Sequence, residues 1–137
     1  MRHRVTCPIW RSNRVHTIVS ARDPQASASF LADILGRAAP VRFGPFHGVE
    51  LDNGVTLDFM QADGDIVRQH YAFLVSEEEF DDIFVRIQER GRAYWADPGH
   101  GRPGKINRND GGRGMYWRDP DGHSLEILTR PYGSGGS

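Results

Sequence analysis

The sequence predicts an α+β fold made from two copies of one pattern, and three observations predict it. A short apolar strand headed by a histidine occurs twice, as Val15-His16-Thr17-Ile18-Val19-Ser20 and as His70-Tyr71-Ala72-Phe73-Leu74-Val75-Ser76. Each is followed by an amphipathic stretch that ends at a glycine, 20 residues after the histidine in the first copy (Gly36) and 21 in the second (Gly91). Each copy then closes on a turn and a strand whose carboxylate lies four residues beyond the turn glycine, Gly54 to Asp58 and Gly122 to Glu126. Strand, helix and a few antiparallel strands, repeated, describe one domain over residues 14–132, with modules at about 14–62 and 68–132. Residues 1–13 read as an N-terminal extension and 133–137, Gly-Ser-Gly-Gly-Ser, as a flexible tail that carries no chemistry.

Each element has a local reason. In the first helix Asp23 or Ser20 can cap, Pro24 suits the first turn, Phe30, Leu31, Ile34 and Leu35 form an apolar stripe, and Gly36 ends it. In the second, Ser76 followed by Glu77, Glu78 and Glu79 is a capping box with acid in the first turn. Phe80, Ile83, Phe84 and Ile87 make its stripe. Asn53-Gly54 and Asp119-Pro120-Asp121-Gly122 are turn signals before the last strand of each copy. Residues 97–114 contain six glycines and read as a long loop.

Composition narrows the function classes. The 137 residues carry 17 Lys and Arg against 18 Asp and Glu, a near-balance that argues against a nucleic-acid-backbone binder. The single cysteine, Cys7, rules out an intrachain disulfide framework and a multi-cysteine zinc site. No apolar run approaches the ~18 residues that span a bilayer, and the N-terminus lacks the apolar core of a secretion signal. The expectation is a cytoplasmic protein that binds neither nucleic acid nor membrane.

Strand alternation sorts the side chains into two faces. Val15, Thr17 and Val19, Tyr71, Phe73 and Val75, Leu57 and Phe59, and Leu125 and Ile127 make a face fit to receive the helices. The opposite face carries one strong polar group per strand: His16, Asp58, His70 and Glu126. A mid-strand carboxylate costs several kcal/mol to desolvate unless it is paired, hydrogen-bonded or metal-bound. Either histidine alone reads as an ordinary core or edge residue, and a lone buried glutamate as the partner of an arginine. Placed together at equivalent points of a duplication, two imidazoles and a carboxylate make a divalent-metal site of His16, His70 and Glu126. Asp58 is a further candidate ligand, with a carboxylate hydrogen-bonded inside the first module as its alternative. Ligand type admits Fe2+, Mn2+, Ni2+, Co2+ or Zn2+. A hairpin around Asp119–Gly122 places Tyr116 across from Glu126 on the same face, where its phenol can act as an acid or bond a ligated oxygen.

These residues resemble the vicinal-oxygen-chelate superfamily, which includes glyoxalase I, bleomycin-resistance proteins, fosfomycin-resistance thiol transferases and extradiol dioxygenases. The most specific segment is Gly114-Met115-Tyr116-Trp117-Arg118-Asp119-Pro120-Asp121-Gly122-His123-Ser124-Leu125-Glu126. The resemblance implies two βαβββ modules in a curved mixed sheet around a central cavity, often within a homodimer. It also implies His16, His70 and Glu126 as metal ligands, and Asp58 at the place of the fourth ligand in glyoxalase I-like members. Extradiol members place an acid–base histidine nine residues before the tyrosine, where this chain has Asn107; an asparagine cannot shuttle a proton, which turns the expectation away from ring cleavage by that route. Fosfomycin-type members use a cationic loop, for which Lys105 and Arg108 are the candidates.

The expected function is a divalent-metal-dependent glyoxalase- or dioxygenase-family enzyme acting on a small substrate through two vicinal oxygens, with Tyr116 and Glu126 catalytic. The alternative is a non-catalytic binder that sequesters an aromatic or antibiotic-like ligand, with Phe43, Phe46, Trp95 and Tyr116 as walls. Asn107, Lys105, Arg108 and Trp95 are the candidate substrate-binding residues, and Arg113 joins the two cations if the glycine loop acts as a lid. His123, beside the turn, reads as a surface residue, and His47 and His100 as solvent-exposed loop residues. Trp10, Trp95 and Trp117 read first as packing residues.

Overall fold

The computed structural model describes residues 15–135. Cys7, Trp10 and the extension 1–13 lie outside the described residues, as do Gly136 and Ser137. The chain divides into two compact units, the first ending at Ile66 and the second beginning at Val67.

In the first unit β1 (Val15–Ala21) leads into α1 (Pro24–Leu35), followed by β2 (Val41–Phe43), β3 (Phe46–Glu50) and β4 (Val55–Gln61). The sheet order is β1-β4-β3-β2, with β1 and β4 parallel and the other pairs antiparallel. Asp23, not Ser20, caps α1, its side chain accepting from the Ala26 N–H, and Pro24 sits in the first turn. Gly36 ends the helix at φ 70°, a left-handed conformation that costs glycine nothing. The buried face of α1 is Ser27, Ala28, Leu31, Ala32 and Ile34, whereas Phe30 and Leu35 are only half-buried. Small residues on that face let the helix lie close on Val19, Val49, Leu57 and Phe59 of the sheet.

In the second unit β5 (His70–Leu74) leads into α2 (Glu77–Glu89), then a long connection, β6 (Gly114–Arg118) and β7 (Ser124–Leu128). The order is β5-β7-β6, with β5 and β7 parallel and β6 antiparallel to β7. The capping box forms: the Glu79 N–H donates to Ser76 Oγ and the Ser76 N–H to Glu79 Oε1. Phe80, Ile83 and Ile87 are buried with Met115, Trp117, Leu125 and Ile127.

The α+β class and the strand–helix–strands pattern hold in both units, but the second forms two strands after its helix where the first forms three. The place of β2 is taken by isolated bridges, Trp95 to Tyr116 and to Pro103. Prolines 98 and 103 and the glycines around them remove ladder donors and raise the entropy cost of an extended strand. The 97–114 loop is nevertheless tied down: Asn107 and Gly114 exchange backbone hydrogen bonds at 2.8 and 3.0 Å, and the Asp97 carboxylate accepts from the Gly101 and Arg102 N–H groups. In the described part of the tail the Gly135 N–H donates to Asp110 Oδ1.

Candidate functional site

Parallel pairing fixes the site residues of both units by the same step. In the first unit His16 stands opposite Thr56 and Asp58 lies two residues further along β4. In the second, His70 stands opposite Ser124 and Glu126 lies two residues further along β7. Two residues along a strand return to the same face, so each carboxylate reaches diagonally to the histidine of the neighbouring strand. His16 Nδ1 lies 3.1 Å from Asp58 Oδ2, and His70 Nε2 lies 2.8 Å from Glu126 Oε1.

The two pairs differ in burial. The Glu126 side chain is 3% exposed against 44% for His70, while Asp58 is 17% exposed against 51% for His16. Each carboxylate is thus sunk into the sheet and each imidazole caps it toward solvent. In the first unit Gly48, opposite Asp58 on β3, creates the room: a Cβ there would stand 3.0 Å from Asp58 Oδ1. Sequence reading missed Gly48, whose role depends on a cross-strand neighbour.

The β6–β7 register places Tyr116 opposite Glu126, as the hairpin reading expects. Its ring meets His70 edge-on at 5.8 Å. Burial pushes the Tyr116 phenol above its ordinary range, and the Glu126 charge and a hydrogen bond to Glu126 push it the same way, against a hydrogen bond to Tyr132 that lowers it. Tyr116 therefore keeps its proton at neutral pH. Tyr132 was not singled out by sequence: its hydroxyl donates to Glu126 Oε1, the oxygen that also faces His70. Its phenol too is raised, by desolvation first and then by its hydrogen bond to Glu126 and the charge there.

The donor set suits a divalent cation. Nitrogen and oxygen ligands bound at about 2.1 Å and set 90–110° apart lie about 3.0–3.4 Å from each other. The spacings within the two His–carboxylate pairs are close to that, and imidazole with carboxylate is a common ligand combination for Fe, Mn, Ni or Zn. Among the described residues, neither unit by itself gathers three or more His, Cys, Asp or Glu side chains into such a group. Each unit holds two of the four expected donors.

The remaining candidates fall as follows. Asn107 is buried and uses its amide internally, Nδ2 donating to the Ala96 carbonyl and Oδ1 accepting from the Asn109 N–H. Lys105 and Arg108 are exposed on the loop. Arg113 does not belong to a lid: it binds Glu77 and Asp81 of α2, each at 2.8 Å, and lies over the Phe80 ring at 4.3 Å. Trp95 pairs with Tyr116, so the two share a face, and its ring is stacked on His100 at 3.6 Å. Phe43 is exposed and Phe46 half-buried.

Three histidine expectations need correction. His123 is buried, not on the surface. Its Nδ1 accepts from the Gln69 N–H, its own N–H donates to Asp119 Oδ1, and its ring meets Tyr71 edge-on. The turn needs an internal acceptor for Gln69, and the imidazole supplies one. His47 is half-buried within β3 and not in a loop. His100 is half-buried against Trp95.

This α+β pattern with His–carboxylate pairs on duplicated strands is that of a vicinal-oxygen-chelate protein. Residues 14–127 match the Glyoxalase/Bleomycin resistance protein/Dioxygenase superfamily, and the chain belongs to it. A solved structure named Oxidase ChaP-H1 is 70% identical, with a TM-score of 0.85 over 86% of this chain and 95% of that one. Glutathione transferase FosA of Serratia marcescens is 31% identical over 120 residues, 82% of this chain and 77% of its own length. Metallothiol transferase FosB of Lysinibacillus sphaericus is 25% identical over 83% of this chain and 79% of its own. With relatives of these kinds, the chain is an enzyme of the superfamily. Among the described residues, no helix is long and apolar enough to cross a membrane.

Proposed function

We propose that this chain is a divalent-metal-dependent oxidase that acts on a small substrate presenting two vicinal oxygens. The observation that carries the reading is the sunken Glu126 carboxylate with His70 Nε2 at 2.8 Å, echoed at the same register step by His16 and Asp58. A buried carboxylate beside a solvent-facing imidazole is a costly way to hold a sheet together and a good way to hold a cation. The 70% identity to a protein named an oxidase favours oxidation over thiol transfer, for which the named relatives are 31% and 25% identical.

His70 and Glu126 would hold the cation with His16, supplied by the same chain or by a second copy in a homodimer, and Asp58 as a fourth donor. A bound divalent cation supplies Lewis-acid polarisation of the two substrate oxygens. The chain's own residues do the rest. Tyr116 keeps its proton and presents it on the face of Glu126, where it can hydrogen-bond an oxygen of the bound substrate. Asn107, its amide already committed, serves as a loop anchor rather than a proton carrier. Trp95, one strand position beyond Tyr116 on the same face, walls the site, and the exposed Lys105 and Arg108 offer charge to an anionic substituent.

Elemental analysis after purification in metal-replete medium tests the reading. About one divalent ion per chain is expected in the native protein. Substitution of His16 or Glu126 by alanine should abolish uptake while the circular-dichroism spectrum stays native. A metal-free native protein, or stoichiometric metal in either variant, would overturn the ligand assignment.

A further inference from the structure

We infer that Tyr132 is a positioning residue for Glu126, and that the segment after the last strand belongs to the site. The inference rests on the metal-binding reading above and adds a residue that the superfamily match, ending at residue 127, does not reach. Beyond β7 the chain does not trail away. The Thr129 N–H donates to the Arg113 carbonyl and the Arg113 N–H to Thr129 Oγ1, at 2.9 and 2.8 Å. Six residues later the Gly135 N–H donates to Asp110 Oδ1 at 3.2 Å. The segment is therefore fastened at both ends to the loop that precedes β6, and a turn lies between, with the Ser134 N–H donating to the Pro131 carbonyl.

The seats of this strap admit no side chain. A Cβ on Gly112 would stand 2.4 Å from Thr129 Oγ1, and one on Gly135 would stand 2.5 Å from the Asp110 Cα. Close backbone approach at both points holds the turn down on the loop. What the turn presents is Tyr132. The residue is 63% exposed, so its ring gains little from burial, yet its hydroxyl reaches in to a carboxylate that is almost wholly shielded from water. An exposed aromatic whose polar tip alone is engaged is held by that tip.

A carboxylate oxygen has two lone-pair directions, and Oε1 of Glu126 uses them toward His70 Nε2 and the Tyr132 hydroxyl. The Tyr132 contact fixes the rotation of the carboxylate about its last bond, so Glu126 is oriented before a cation arrives. Without it, only the half-exposed His70 and the Tyr116 phenol would restrain that rotation. Ligating carboxylates in general depend on such outer hydrogen bonds.

The test uses the full chain, Co2+ as the probe, and three proteins: native, Tyr132→Phe and Gly135→Ala. Tyr132→Phe removes one hydroxyl, and Gly135→Ala lifts the strap without touching a site residue. Affinity is read by competition with a chromophoric chelator, geometry by the visible Co2+ bands, and folding by melting in EDTA. The expected result is a Kd about 10-fold weaker for Tyr132→Phe, a smaller weakening for Gly135→Ala, altered Co2+ bands in Tyr132→Phe, and a metal-free melting temperature for Tyr132→Phe equal to the native one. A Tyr132→Phe protein with native affinity and native bands overturns the positioning role while leaving the metal reading intact. A native protein that takes up no Co2+ overturns the metal reading and this role with it.

Discussion

Replacing Glu126 separates a residue kept for chemistry from one kept for stability. If Glu126 exists to hold the sheet together, removing its charge must destabilise the protein. If it exists to hold a cation, removal should cost the metal-free protein little. The structure gives the magnitude. Freed by Glu126→Leu, His70 at 44% exposure can turn to water, and the buried Tyr116 phenol keeps its hydrogen bond with Tyr132, itself 63% exposed, so none of the three becomes a buried orphan. The usual cost of breaking a buried pair, about 3–5 kcal/mol, therefore does not apply, whereas the desolvation penalty of the carboxylate is relieved. Leucine fills a similar volume at a position that is itself almost wholly buried. The expected change in EDTA is a gain of about 1–2 kcal/mol for Glu126→Leu, with Glu126→Gln within about 1 kcal/mol of native. At roughly 3–5 °C per kcal/mol for a chain of this size, the leucine variant melts several degrees higher. Metal affinity should fall at least about 100-fold in both, about 2.7 kcal/mol or more. Differential scanning calorimetry in EDTA, paired with metal titration, reads both quantities. A leucine variant destabilised by more than about 3 kcal/mol in EDTA would refute the reasoning and make Glu126 a structural ion-pair residue.

Three further outcomes follow from other parts of the fold. Arg113→Ala should lower stability through loss of a cation–π contact with Phe80 of about 0.5–1 kcal/mol, plus a salt-sensitive part from Glu77 and Asp81. Urea denaturation should show its deficit shrinking between low and high salt, and a salt-independent deficit would count against the ion pairs. Gly48→Ala crowds Asp58 Oδ1 and should cost about 1 kcal/mol; a crystal structure with the His16–Asp58 contact unmoved would show that the glycine is not needed for it. Burial holds the Asp119 carboxyl above its ordinary range, against the pull of hydrogen bonds from the His123 and Asp121 N–H groups. A raised folded value means a contribution complete below the unfolded value and lost as pH climbs through the folded one. Asp119→Asn keeps the acceptor at Oδ1, so its stability relative to native should rise from pH 4 to pH 7; a relative stability that falls over that range would contradict the assignment.

What the sequence made legible was whatever depends on neighbours along the chain or on strand parity. Asp23, Pro24 and Gly36 bound α1 because capping and left-handed geometry are local demands. Tyr116 meets Glu126 because a tight turn at Asp119–Gly122 fixes the register of β6 on β7. Parity also put His16, Asp58, His70 and Glu126 on the polar faces, but it could not show how deep each lies. His123 illustrates that gap: its place beside a turn predicts exposure, yet Gln69 and Tyr71, more than fifty positions earlier, close over it. Tyr132 and Gly48 were hidden for a related reason. One acts through an irregular segment with no period, and the other acts by lacking a side chain where a neighbouring strand needs space.

The duplication makes the chemical reading stronger than either pair alone would. In both units a histidine stands at or next to the start of the outer parallel strand and a carboxylate follows two residues past its partner position. The side chains around them have diverged: Asp against Glu, a four-stranded sheet against a three-stranded one, Nδ1 against Nε2 toward the acid. A packing interaction has no need to keep one register step through such change, since apolar residues of similar volume would serve each sheet as well or better. A donor set does have that need, because ligand directions follow from the strands that carry them. The two pairs also differ in how firmly each carboxylate is held. Glu126 is more buried and is engaged by His70, Tyr116 and Tyr132, whereas Asp58 is more exposed, lies close against Gly48 and is paired with a half-exposed imidazole.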